Sequence, residues 1–165
     1  MMIPVIVESV RMNLGNGQRV VILKDEKLDR YLLIWVGLPE SQAIALELQN
    51  EKAPRPLTAD LLKTVIDELG AHVVDVQITE IADAVYHACI NLLNATGEAL
   101  DIDARASDAI GLAVRADVPI YVEDAVLDDA SITLPNEEED EKLDVYRDFV
   151  EQLFASEEGE RRPDA

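Results

Sequence analysis

Cysteine occurs once in this chain, at Cys89, so an internal disulfide and a cysteine-built zinc site are both excluded. Histidine is scarcely commoner: His72 and His87 are the only two, too few for a histidine-rich metal centre. No run of ~18 or more apolar residues is present to span a bilayer. The opening Met-Met-Ile-Pro-Val lacks the basic region and cleavage site of a secretory leader, so the expected location is the cytoplasm, with no membrane contact. Cations are short as well: five lysines and nine arginines face 34 acidic residues, for a net charge of −20. A nonspecific grip on nucleic acid depends on clustered Lys and Arg, so any nucleic-acid role has to overcome this charge. A Gly-rich phosphate loop and a serine or cysteine triad setting are also missing, which argues against classical nucleotide and acyl chemistry.

What is present suits one globular domain: 165 residues, 48% of them hydrophobic, can bury a core without covalent staples. The domain is expected over residues 1–134, followed by an acidic segment over 135–165. That segment holds 12 acidic and 4 basic residues and carries −8 of the net charge.

Alternation and turn chemistry predict strands near 3–13, 19–24, 31–36, 72–80, 85–93, 99–103 and 119–122. Gly15-Asn16-Gly17 supplies the turn of the first hairpin. Tyr31 to Val36 is a continuous apolar run and reads as a strand covered on both faces. Helices are predicted near 40–50, 58–69, 107–116 and 137–154, with a short one over 123–129. Thr58 is expected to cap the second helix, whose Leu61, Leu62, Val65, Ile66 and Leu69 fall at helical spacing before the stop at Gly70. In the last long helix, Leu143, Tyr146, Phe149, Val150, Leu153 and Phe154 form a stripe that would dock on the body or on a partner chain. Long apolar strands and this amphipathic helix together predict self-association, with a dimer favoured.

The chemistry is expected around Glu98 to Arg115. Leu100, Ile102 and Ala104 alternate with Asp101 and Asp103, so a strand would send the apolar side chains to one face and both carboxylates to the other. Arg105 follows, and Ser107 is expected to cap a helix that its apolar residues mark as buried. Acid, guanidinium and helix N–H donors thus come together. His87, Cys89 and Asn91 share one face of the preceding strand, where packing or surface roles outweigh metal binding. One internal echo stands out: Ser41-Gln-Ala-Ile-Ala-Leu46 and Ser107-Asp-Ala-Ile-Gly-Leu112 each follow a set of three strands. A duplicated βββα unit would produce this pairing, and so would chance likeness between Ala-rich helices.

Four motifs carry a resemblance: Ile34-Trp-Val-Gly-Leu-Pro-Glu with Ala43-Ile-Ala-Leu; Arg55-Pro-Leu-Thr with Asp60-Leu-Leu; Ile102-Asp-Ala-Arg with Ser107-Asp-Ala-Ile; and Pro119-Ile-Tyr-Val. In this order they resemble the bifunctional nuclease family, over roughly residues 3–132. The resemblance implies an α+β fold, with a mixed, largely antiparallel, barrel-like sheet assembly that tends to dimerise, and hydrolysis of both DNA and RNA. Two positions depart from the family's pattern: Ala59 stands where His commonly follows the Thr of the second motif, and Ala106 where Pro commonly follows the Arg of the third.

Phosphodiester hydrolysis usually employs a divalent ion held by carboxylates. Asp101 and Asp103 are the candidate ligands for Mg²⁺ or Mn²⁺, joined by Asp108 or Glu40. Arg55 and Arg105, each just ahead of a helix start, are the candidate phosphate contacts, with Asp103 and Asp108 as catalytic carboxylates in the same concavity. A purely structural account uses the same residues: an Asp103–Arg105 ion pair, capping by Thr58 and Ser107, and helix-dipole complement by Asp60 and Asp108. The alternative function is accordingly a noncatalytic regulatory or scaffolding protein that binds a small anion or a protein partner.

Overall fold

The structure, a computed structural model, describes residues 1–133, so the expected helix over 137–154 lies outside the described residues. The strands are β1 (Met2–Met12), β2 (Arg19–Asp25), β3 (Arg30–Val36), β4 (His72–Ala82), β5 (Val85–Leu93), β6 (Ala99–Arg105), β7 (Ile120–Glu123) and β8 (Ile132–Thr133). The helices are α1 (Leu38–Leu48), α2 (Thr58–Glu68), α3 (Ala106–Ala116) and α4 (Asp124–Ala130). All eight strands join one α+β sheet in the order β6-β5-β4-β7-β1-β2-β3-β8. Every pairing is antiparallel except β4 with β7. The sheet is open, with β6 and β8 at its edges, rather than closed into a barrel.

The order places the two halves of the sequence echo in like settings. β1-β2-β3-α1 and β4-β5-β6-α3 are both three-strand antiparallel meanders followed directly by a helix, and β7 joins the two meanders at their first strands. Ile44 of α1 and Ile110 of α3, equivalent in the echo, are both fully buried.

The main core lies between the sheet and the helices. Val21, Leu23, Leu32, Ile34, Val76, Ile78, Ala88, Ile90, Ile120 and Val122 point inward at a period of two, and α3 crosses them with Ala109, Ile110, Leu112 and Ala113. α3 lies centrally against α1 and α2: a Cβ added at Gly111 would be at ordinary contact distance, 3.8 Å from the Ala59 methyl and 3.9 Å from Ile44. The expected burial of this helix is what the fold shows.

Three expectations need correction. Neither Thr58 nor Ser107 is a cap: the N-cap positions belong to Leu57 and Arg105, and the Leu57 N–H donates to Asp60 Oδ2 at 2.8 Å instead. β3 is covered on both faces only as far as Ile34, and Trp35 is 46% exposed. The apolar stripe of α2 forms at the expected spacing, yet Ile66 alone of its residues is buried, and Leu61, Leu62, Val65 and Leu69 face outward. α2 packs mainly on α3 and less on β4, so much of its apolar stripe stays open.

Candidate active site

The two strand-to-helix junctions, β3 to α1 and β6 to α3, lie side by side because α1 packs on α3. Arg105 ends β6 and is the N-cap residue of α3. Its Nε donates to Asp108 Oδ2 at 2.8 Å and one Nη to Asp108 Oδ1 at 3.0 Å, while the same nitrogen reaches Glu40 Oε1 of α1 at 3.2 Å. One guanidinium therefore serves two carboxylates, and the cluster carries a net −1. The Arg105 side chain is 66% exposed and Glu40 21%, so the cation is presented outward with Glu40 behind it. Both acids sit in the first turn of their helices, where the dipole favours negative charge. The Glu40 carboxylate lies over Gly37, where any Cβ would collide with it. The expected Asp103–Arg105 pair is thus replaced by Arg105 with Asp108 and Glu40.

This cluster stands at the rim of a cleft of about 640 Å³ between α1, α2, α3 and the β5–β6 edge. The wall is largely apolar, with Leu46, Leu57, Leu62, Ile90 and Ile102, and the rim carries Glu40, Arg105 and Asp108, while Asp103 borders the cleft as part of the edge strand β6. Ala59 is on the wall. Arg55 is exposed in the connector ahead of α2 and is not part of the cleft wall.

Asp101 and Asp103 are exposed on β6, as alternation required. Ile102 and Ala104 face the cleft, so the pleat turns both carboxylates to the outer side of the sheet, opposite Asn91 and Cys89. The apolar side of β6 is not sealed: Leu100 is 41% and Ile102 44% exposed. On the outer side Cys89 Sγ lies 3.4 Å from Asn91 Oδ1, and Asn91 Nδ2 donates to Asp75 Oδ1 at 2.5 Å. Burial, followed by the charges of Asp101, Asp75 and Asp103, pushes the Cys89 thiol above its ordinary value. A thiol held protonated in this way is a poor nucleophile and a poor metal ligand. Among the described residues, no three His, Cys, Asp or Glu side chains come together to hold a metal ion. The metal expectation therefore rests on Asp101 and Asp103, two exposed carboxylates on one face. Such a pair suits a hard ion that keeps water and takes further ligands from a phosphate.

Behind the cleft is an ion pair that the sequence did not reveal. Arg115, 5% exposed, donates to Asp60 Oδ1 at 2.7 Å and to the carbonyls of Gly111 at 3.0 Å and Ala43 at 2.9 Å. It ties α3 to α2 and α1 at once. Burial alone would raise Asp60, but hydrogen bonds from Leu57 N–H and Arg115 outweigh it and hold the carboxyl below its ordinary value. The available signal was Arg115 itself, a cation in the last turn of an otherwise apolar helix.

The family model of the bifunctional nuclease domain matches residues 21–135. The chain belongs to that family. An uncharacterized protein of Mycobacterium tuberculosis, found in two strains, is 37% identical over 148 residues, covering 90% of this chain and 88% of the relative. Bifunctional nuclease 1 of Oryza sativa is 30% identical over 105 residues, 62% of this chain but 32% of the rice protein.

Proposed function

We propose that this chain is a nuclease that hydrolyses phosphodiester bonds of DNA and RNA with the help of Mg²⁺ or Mn²⁺. The observation that carries this reading is the rim of the cleft, where Arg105 sits between Glu40 and Asp108 at the end of an edge strand whose Asp101 and Asp103 are exposed. Membership of the nuclease family and the likeness to the rice proteins support it. Asp101 and Asp103 would hold the ion, which when bound would polarise a phosphoryl oxygen and lower the pKa of an attached water. Arg105 would offer its guanidinium to a phosphate, exchanging a carboxylate partner to do so. Asp108 and Glu40 would hold Arg105 in place, and Asp108 would be available to take a proton from water. An acidic rim repels bare phosphate, so the cation is what reconciles a net charge of −20 with a nucleic-acid substrate. The family also suggests self-association. We assign it to a second copy meeting the open edge of β6 or the exposed Leu61 and Val65 of α2.

A second reading, a noncatalytic protein that binds an anion or a protein partner, draws on one observation: Nε and one Nη of Arg105 already have carboxylate partners. Incubating the purified chain with single-stranded RNA and plasmid DNA, with Mg²⁺ or Mn²⁺ and then with chelator, separates the two. Cleavage that stops with chelator supports the nuclease, and intact substrates under all conditions support the second reading.

A further inference from the structure

A guanidinium presents its N–H donors on two forked edges, Nε with Nη2 and Nη1 with Nη2, and each edge can grip an anion through two parallel bonds. Asp108 fills the first edge of Arg105, accepting from Nε at 2.8 Å and from Nη2 at 3.0 Å. Glu40 accepts only from Nη2, at 3.2 Å. It therefore holds half of the second edge, and none of the Arg105 hydrogen bonds among the described residues uses Nη1. The Arg105 side chain is largely exposed, so an anion can reach that edge.

We propose that Glu40 is a gate on this second edge: it prevents two-point binding of a phosphate group at Arg105 until it swings away, while Asp108 stays as the anchor. This rests on the reading of Arg105 as a phosphate contact, and it names the carboxylate that is exchanged. Asp108 is held by two bonds from three residues along the same junction, whereas Glu40 makes one longer bond from another helix. A phosphate that met Nη1 alone would gain one bond beside two carboxylates. Displacing Glu40 gives it two bonds and moves a like charge away. Gly37 sets the closed position of the gate. It is the N-cap residue of α1 with φ −72° and ψ 167°, an extended backbone that any residue adopts. A Cβ added there would collide with Glu40, and its three nearest neighbours would all be atoms of that carboxyl group. Gly37→Ala is thus a lever on the flexible end of Glu40, and Gly37 is a positioning residue.

Phenylglyoxal modifies accessible guanidinium groups, and an anion bound at Arg105 opposes it. With inorganic phosphate as the probe and ionic strength held constant, peptide mass mapping gives the phosphate concentration that halves Arg105 labelling. Glu40→Gln removes the charge of the gate, and Gly37→Ala keeps the charge but displaces it. In both, that concentration should fall by about two- to fivefold, the range for losing one exposed ion pair. Glu47→Gln, two turns further along α1, makes the same change in net charge and should match the parent. Urea midpoints check that each chain is folded, and either variant serves if the other unfolds. Protection that is unchanged or weaker in the variants, or tightened no more than in Glu47→Gln, overturns the gate and leaves the phosphate contact standing. Phosphate that protects Arg105 in none of the chains overturns both. Tighter protection in the variants, with RNA left intact in Mg²⁺ or Mn²⁺, would keep the gate and remove the nuclease.

Discussion

Arg105 illustrates how a single residue is shared between stability and chemistry. Its ion pairs are largely exposed, so they contribute at most about 1 kcal/mol to folding, and their geometry matters chiefly for what the guanidinium can meet. Gly111 is a contrasting case, a residue whose smallness the packing does not demand. A methyl group there would lie at ordinary contact distance from Ala59 and Ile44, and the helical backbone accepts Ala. Gly111→Ala should therefore stabilise the chain by about 0.5–1 kcal/mol, mainly by restricting the unfolded state, as measured by urea denaturation. A loss of stability would mean that α1, α2 and α3 are packed more tightly than these distances indicate.

Elements hold one another here through a few polar ties. Arg115 is sealed among α1, α2 and α3, and removing it leaves Asp60 and the Ala43 carbonyl without their partner. Because Asp60 keeps 36% of its side-chain exposure, Arg115→Met is expected to cost about 2–3 kcal/mol, below the value for a fully buried pair. Denaturant midpoints of the variant and parent measure this, and an unchanged midpoint would remove the tie from the account. The strands and α3 were legible in the sequence because alternation and a nearly all-apolar helix each have one reading. The caps were not: Ser107 and Thr58 match the cap preference by type, but α3 starts one residue before Ser107 and α2 starts at Thr58 itself, so N-cap geometry falls on Arg105 and Leu57. Nor was the partner of Arg105. On a strand Asp103 is a same-face neighbour two residues away, whereas the helix start brings Asp108 within 2.8 Å, and Glu40 arrives from 65 residues away through α1–α3 packing. The exposure of α2 is equally a matter of tertiary neighbours, since its periodicity specifies a helix and not which layer will cover it.

At the scale of the whole molecule, acid brings two opposing effects. Lowering the pH toward the isoelectric point near 4.2 relieves the self-repulsion of a chain with charge −20. Asp25 works in the opposite sense: burial would raise its carboxyl, yet hydrogen bonds from Lys27 N–H and Arg30 hold it below the ordinary 3.8, as Arg115 and Leu57 N–H do for Asp60. Both depressed groups bind fewer protons folded than unfolded, so their contribution is complete above the ordinary carboxylate value and disappears as pH falls through the depressed one. Stability measured by urea denaturation should hold down to about pH 4 and then drop, and Asp25→Asn should flatten that drop while lowering stability at neutral pH. A variant whose acid profile parallels the parent would exclude Asp25 as a cause.

The proposed phosphodiester-cleaving site joins the β6 edge to the rim of the cleft. The most direct measurement is the cleavage rate of single-stranded RNA in Mg²⁺ or Mn²⁺ for the parent chain and for Asp103→Asn, which removes a ligating charge at nearly constant volume. The rate should fall by more than about tenfold, equivalent to ~1.4 kcal/mol of barrier, with little change in denaturation midpoint because Asp103 is exposed. An Asp103→Asn chain that folds normally and cleaves at the parent rate would contradict it.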